Sequence, residues 1–169
     1  MFSYLFTRRA FAGRLATLIS GLGLAAAAPS SGAAAENKKE EPGGVKKMDW
    51  DGKPAGTGFI TPLITFGGVI YISGQGAHSH DTGETFPKDI DNHTKHVMEN
   101  VKTLVEAGGG TMDSILQLTV YLVKIEDFEG MNNEYATWFP AEPPTRYVAK
   151  LGVEIPDLLV SIRMTAFVG

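Results

Sequence analysis

Beyond residue 44 the apolar positions follow two different periods, and the change of period marks the elements. Leu63–Phe66 and Val69–Ile72 are short, apolar, β-prone runs split by Gly67-Gly68, a pattern that predicts a hairpin. Ser73-Gly74-Gln75-Gly76 ends that hairpin, and a polar loop runs from Ala77 to Lys88. Upstream, Val45–Trp50 starts a strand, and residues 51–58 are turn-rich, with three glycines and one proline. From Asp89 the spacing lengthens. Ile90, Thr94, Val97, Val101, Leu104 and Val105 recur mostly three and four residues apart, which gives one face of a helix. Asp89 or Asp91 suits its start, and Gly108-Gly109-Gly110 ends it.

Ile115–Lys124 then reads as a long strand, with Leu116, Leu118, Val120 and Leu122 on one side. Ile115, Thr119, Tyr121 and Val123 fall on the other, so both faces are expected to be partly covered. Phe128, Met131, Tyr135 and Phe139 outline a second, shorter helix, stopped by Pro140 and Pro143-Pro144. Arg146–Leu151 and Leu158–Val168 supply two final strands. The order β-β-β-α-β-α-β-β, without internal repeats, predicts one α+β domain over about residues 45–169, with two helices on one face of a mixed sheet.

Charge separates the first 35 residues from the rest. They hold Arg8, Arg9 and Arg14 and no acid, which leaves 12 basic against 19 acidic residues over 36–169. Arg8-Arg9 with Phe11, an apolar run from Leu15 to Ala28 and small residues ending at Ala33-Ala34-Ala35 form a signal peptide over 1–35. Its paired arginines resemble the twin-arginine export signal; an ordinary secretory signal is the alternative. The apolar run is short for a membrane span, so no stable anchor is expected, and the chain is expected in the periplasm or secreted. Cleavage near Ala35 or between Ala25 and Pro29 fits, and residues 36–44 read as a polar lead-in.

The 169 residues include no cysteine, which excludes disulfides, thiol nucleophiles and Cys-ligated metals. A net charge of −4 argues against nucleic acid as a partner. His78, His80, His93 and His96 lack a metal-ligand spacing and read as solvated loop and helix-surface residues, so no metal is expected. The triple glycine follows a helix rather than opening one, so it is not a phosphate cradle, and no G-x-S-x-G is present. Arg146 is more informative. Only it and Arg163 remain beyond the signal, against ten lysines, and Arg146 follows Glu142-Pro143-Pro144-Thr145 at the start of a strand. A chain that uses lysine for surface charge can be using arginine for its planar fork, which matches a carboxylate; a structural salt bridge is the alternative.

Ser73-Gly74-Gln75, Asn100 through Gly109, Val120-Tyr121-Leu122, Asp127-Phe128 through Asn132, Tyr135 to Phe139 and Pro144-Thr145-Arg146 occur in an order similar to that of the Rid family (reactive intermediate deaminases, YjgF-like). The resemblance spans roughly 58–168. It implies a chorismate-mutase-like (ferredoxin-like) α+β fold, a homotrimer with clefts between subunits, and no cofactor. It also implies hydrolysis of reactive 2-imino and 2-enamino acids to 2-keto acids and ammonia. By the same resemblance, Arg146 grips the carboxylate of a small ligand, Ser73 and Asn132 line the cleft, and backbone near Val148 flanks the hydrolytic water. Two positions depart from the family pattern. Phe59-Ile60 stand where active deaminases carry a tyrosine, and Ser161 stands where their last strand carries an acid. Loss of that acid removes a base for water. A trimeric binding or sensing module for 2-oxo or 2-amino acids is therefore the second expectation, and a different reaction on a carbonyl or enol substrate the third. Arg163 either adds a second cation to the cleft or faces outward.

Overall fold

A computed structural model describes residues 44–84 and 88–169. The segments expected to form a signal peptide (1–35) and, apart from Gly44, the lead-in (36–44) lie outside the described residues. The elements are β1 (Lys46–Met48), β2 (Leu63–Phe66), β3 (Val69–Gln75), α1 (Ile90–Ala107), β4 (Ile115–Leu122), α2 (Phe128–Trp138), β5 (Thr145–Lys150) and β6 (Val160–Phe167). They build one mixed sheet in the order β1-β2-β3-β6-β4-β5. The expected α+β architecture is the observed one. Neighbours run antiparallel except β4 and β5, whose parallel pairing places Leu118 beside Arg146 and Val120 beside Val148. A parallel pair needs a crossover, and α2 is that crossover.

The core forms where the apolar stripe of α1 meets one face of the sheet. Val97, Val101, Leu104 and Val105 are buried against Ile70, Ile72, Val120, Ile162 and Met164, and α2 adds Met131 and Tyr135. Asp89 caps α1, its Oδ1 accepting a hydrogen bond from the Asn92 amide at 3.0 Å. At the other end Gly109 takes a left-handed φ of 86°, and the Gly109 and Gly110 amides donate to the carbonyls of Glu106 and Val105. Gly110 is small for another reason: a Cβ there would meet Ser114 Oγ at 2.6 Å and the Phe167 carbonyl at 2.9 Å.

Three details differ from the sequence expectation. β3 continues through Ser73-Gly74-Gln75 across a bulge between Ile72 and Gln75 instead of ending at Ile72. In β4 a second irregularity, between Ile115 and Gln117, breaks the alternation, so Ile115 is buried and Leu116 is half exposed, the reverse of the strict period-two reading. His93 is not a helix-surface residue. It is buried, and its Nε2 accepts a hydrogen bond from the Leu159 amide at 3.3 Å, fastening the entry to β6.

Two contacts missed by the sequence reading hold the site-bearing parts in place. The Asn100 amide donates to the carbonyls of Gly76 at 2.9 Å and His78 at 3.0 Å, tying α1 to the loop after β3. On α2, a Cβ on Gly130 would strike Ile90 Cγ2 and come within 2.9 Å of Asp91 Oδ1, so this glycine permits the close packing of α2 on the start of α1. Asn100→Ala strips two carbonyls of their partner and is expected to cost about 2 kcal/mol in urea unfolding. Gly130→Ala overpacks the helix contact and is expected to cost about 1–3 kcal/mol by the same measurement. Unchanged midpoints would show that neither contact carries stability.

Candidate functional site

The Pro143-Pro144 pair delivers the chain to β5, and Thr145 Oγ1 pins its first residue by donating to the Leu116 carbonyl at 2.8 Å. Because Leu118 and Val120 are buried under the helices, their register partners Arg146 and Val148 also stand on the helix side, on the outermost strand. The Arg146 side chain lies over α2. Its Cζ sits 4.5 Å above the centroid of the Tyr135 ring, and Nη1 is 4.0 Å from Met131 Sδ. Among the described residues no carboxylate pairs with it. A cation held over an aromatic face is oriented without being neutralised.

Tyr135 is fixed beneath it. The residue is only 6% exposed, and its ring tilts against Phe139 at 5.0 Å. Neither its hydroxyl nor Asn132 Oδ1, both buried, has a hydrogen-bond partner among the described residues. Helical spacing places Asn132, Tyr135 and Ala136 on one face of α2, and Phe139 follows just past its end. That face, with Pro143, Pro144 and Arg146, encloses an open groove of about 400 Å³. Carbon dominates its wall, and among the described residues the guanidinium is its one charged group.

The other expected site residues lie elsewhere. Val148 borders a separate, smaller groove of about 160 Å³ with Leu122, Ile125 and Phe128. Ser73 accepts a hydrogen bond on Oγ from Gln75 Nε2 at 2.9 Å. Ser161 lies across the β3–β6 bulge from Gly74: a Cβ on Gly74 would approach Ser161 Oγ to 3.0 Å, so the absence of a side chain at Gly74 makes room for that hydroxyl. Phe59 is fully exposed and Ile60 is 72% exposed, in the segment before β2. Arg163 is exposed on the sheet face away from the helices, opposite Thr119 in register. Strands β6 and β4 separate β3 from β5. At about 4.8 Å per strand, Ser73 and Arg146 of one chain stand about 14 Å apart across the sheet. Within one chain Ser73 and Ser161 therefore stand on the β3–β6 side of the sheet, and Arg146 stands with Asn132 at its β5 end. Tyr135, Phe139 and the two prolines were missed as site residues because an apolar stripe and a helix stop account for them equally well.

This fold and its arginine-centred groove define a class that the comparisons identify. Residues 53–168 match the family model described as endoribonuclease L-PSP. A RutC family protein of Pyrococcus horikoshii is 32% identical over 114 residues, 68% of this chain and 90% of the relative. Among solved structures, the Rid family protein YyfA of Yersinia pestis is 27% identical with a TM-score of 0.67, covering 73% of this chain and 99% of its own. E. coli TdcF, solved with bound serine, is 27% identical with a TM-score of 0.64, at 72% and 98% coverage. RidA of the Antarctic bacterium Psychrobacter is 26% identical with a TM-score of 0.62, also at 72% and 98% coverage. The chain belongs to the L-PSP family, the family of the Rid proteins.

Burial pushes the Tyr135 phenol above its usual value of 10.0, and the Arg146 charge opposes that shift without cancelling it. A folded-state value above the unfolded one means that this residue's stability is fully present below pH 10.0 and is lost as pH rises through the folded value. Tyr135→Phe keeps the ring and removes the ionisation. The wild type is therefore expected to lose thermal stability above pH 10 more steeply than the variant; identical alkaline profiles would contradict this environment for the phenol.

Proposed function

We propose that the chain hydrolyses reactive 2-imino acids, and 2-enamino acids after tautomerisation, to 2-oxo acids and ammonia. The observation that carries this reading is Arg146, a guanidinium aimed by Tyr135 yet, among the described residues, left without a counter-ion at the end of an apolar groove. Such a group offers its donor fork to a carboxylate. The substrate carboxylate binds Arg146, which fixes the adjacent C2 near the β5 backbone. Water adds its oxygen to C2 and gives one proton to the nitrogen; the hydroxyl proton of the resulting carbinolamine then passes to the nitrogen as the C–N bond breaks, leaving the oxo acid and ammonia. Imines hydrolyse readily in water, so holding C2 and water together can supply much of the acceleration. The serine bound in the TdcF structure, a small carboxylate with nitrogen on C2, is consistent with the chemistry of this site. RNA cleavage, which the family description names, is supported less well. The groove offers one cation in a net-acidic chain, where a phosphate backbone calls for several.

The separation of Ser73 from Arg146 across the sheet supports a homotrimer in which Ser73 and Ser161 of one copy face Arg146 and Asn132 of the next. The exposed aromatics on the helix-free sheet face, Tyr71 and Tyr147, support burial of that face. Light scattering of the mature chain, residues 36–169, is expected to give about 43 kDa, three copies at typical residue mass; a monomer would dismantle the composite cleft. The acid-free segment with Arg8-Arg9 supports delivery by the twin-arginine export machinery to the periplasm or beyond.

Ser161 favours a second reading, a binding module for 2-oxo or 2-amino acids, because a serine with no base beside it activates water poorly. Imine generated by an amino-acid oxidase, with semicarbazide in competition, separates the two. The wild type is expected to speed imine loss, and Arg146→Ala to lower kcat/KM roughly 100-fold, as loss of a charged hydrogen-bond pair predicts. No acceleration by the wild type, with turnover appearing in Ser161→Glu, would establish the binding module on a scaffold that has lost its base.

A further inference from the structure

We infer that the Arg146 groove selects substrates with a large apolar side chain over three-carbon acids; this rests on the reading of Arg146 as the carboxylate clamp. The groove is about 400 Å³, within the range of sites that enclose ligands of drug size. A carboxylate on Arg146 and the C2 beside it use only the end formed by Tyr135 and Asn132. Ala136 continues the wall beside Tyr135, and Phe139, just past the end of α2, tilts against the Tyr135 ring at 5.0 Å. Pro143 and Pro144 complete it. Among the described residues no lysine, aspartate or glutamate lines the groove, so away from Arg146 none of them would engage a polar or charged side chain by charge.

The far wall is also rigid. α2 ends at Trp138, and Phe139 leaves helical geometry with φ −134° and ψ 70°, turning the chain toward the two prolines. Proline fixes its own backbone, and a wall already in place costs little ordering when a ligand enters. The preference is therefore built into the chain that supplies Arg146. It comes from carbon surface, with each methylene buried against that wall expected to raise affinity about fourfold.

The test is calorimetric titration of the purified full chain with stable 2-oxo acids of increasing length: pyruvate, 2-oxobutanoate, 2-oxopentanoate, 4-methyl-2-oxopentanoate and phenylpyruvate. Affinity should climb about fourfold per methylene. Ala136→Leu, an exposed helical position that tolerates leucine, should flatten the climb by filling the groove. The ratio of long to short ligand is the readout. Equal affinities along the series, with Arg146→Ala still abolishing binding, would overturn this inference and leave the carboxylate clamp standing. A climb that Ala136→Leu leaves just as steep would place the side chain outside this groove and also overturn it. No binding by any member, or binding indifferent to Arg146→Ala, would overturn the clamp and the inference together.

Discussion

The single parallel pairing in the sheet, β5 beside β4, is the constraint on which the site depends. An antiparallel strand could have been reached by a tight turn, whereas a parallel one forces the chain back across the sheet through a helix. That helix is α2, and its return path lays Asn132, Tyr135 and Phe139 over the strand that begins with Thr145 and Arg146. Gly130 sets how closely α2 seats against α1, and Thr145 sets where β5 starts along β4. The position of the guanidinium thus follows from connectivity first and from side-chain contacts second.

The contacts that remain are notable for what they lack. Arginine on a protein surface commonly finds a carboxylate, and such a pair would spend both its charge and its donor fork internally. Here the partners are an aromatic face and a thioether, which hold direction while leaving both available. The near-absence of other arginines beyond residue 35 fits this arrangement, since lysine supplies ordinary surface charge in this chain. Desolvation of Tyr135 belongs to the same design, because a phenol that stays neutral keeps its ring beneath the cation without adding a charge of its own.

Most of the fold was legible because periodicity is local. The α1 stripe, the triple-glycine stop and the hairpin at Gly67-Gly68 each declare themselves within a few residues, and the structure follows them. Where the reading failed, the cause was a defect in the period or a contact distant in sequence. The irregularity after Ile115 exchanges the faces of the first two β4 residues, and no composition signal marks it. His93 looks like a surface residue of a helix until Leu159 arrives from 66 positions away. At the site, Arg146 stood out by scarcity and by the prolines before it, but Tyr135 was hidden by its double use as core residue and ring support. The stripe Asn132, Tyr135, Ala136, Phe139 was visible as a spacing; only the β5 register showed that it faces a cation.

β5 is the outermost strand, bonded to β4 along one side only. Its other side presents main-chain N–H and C=O groups beside Arg146 and Val148, and those groups are the same whatever residues occupy the positions. Substitution can redesign the groove or change the residue at Ser161, but it cannot remove a peptide dipole. A site resting partly on backbone can therefore outlast extensive change in its side chains, keeping the ability to seat a small polar molecule while reaction and specificity drift around it.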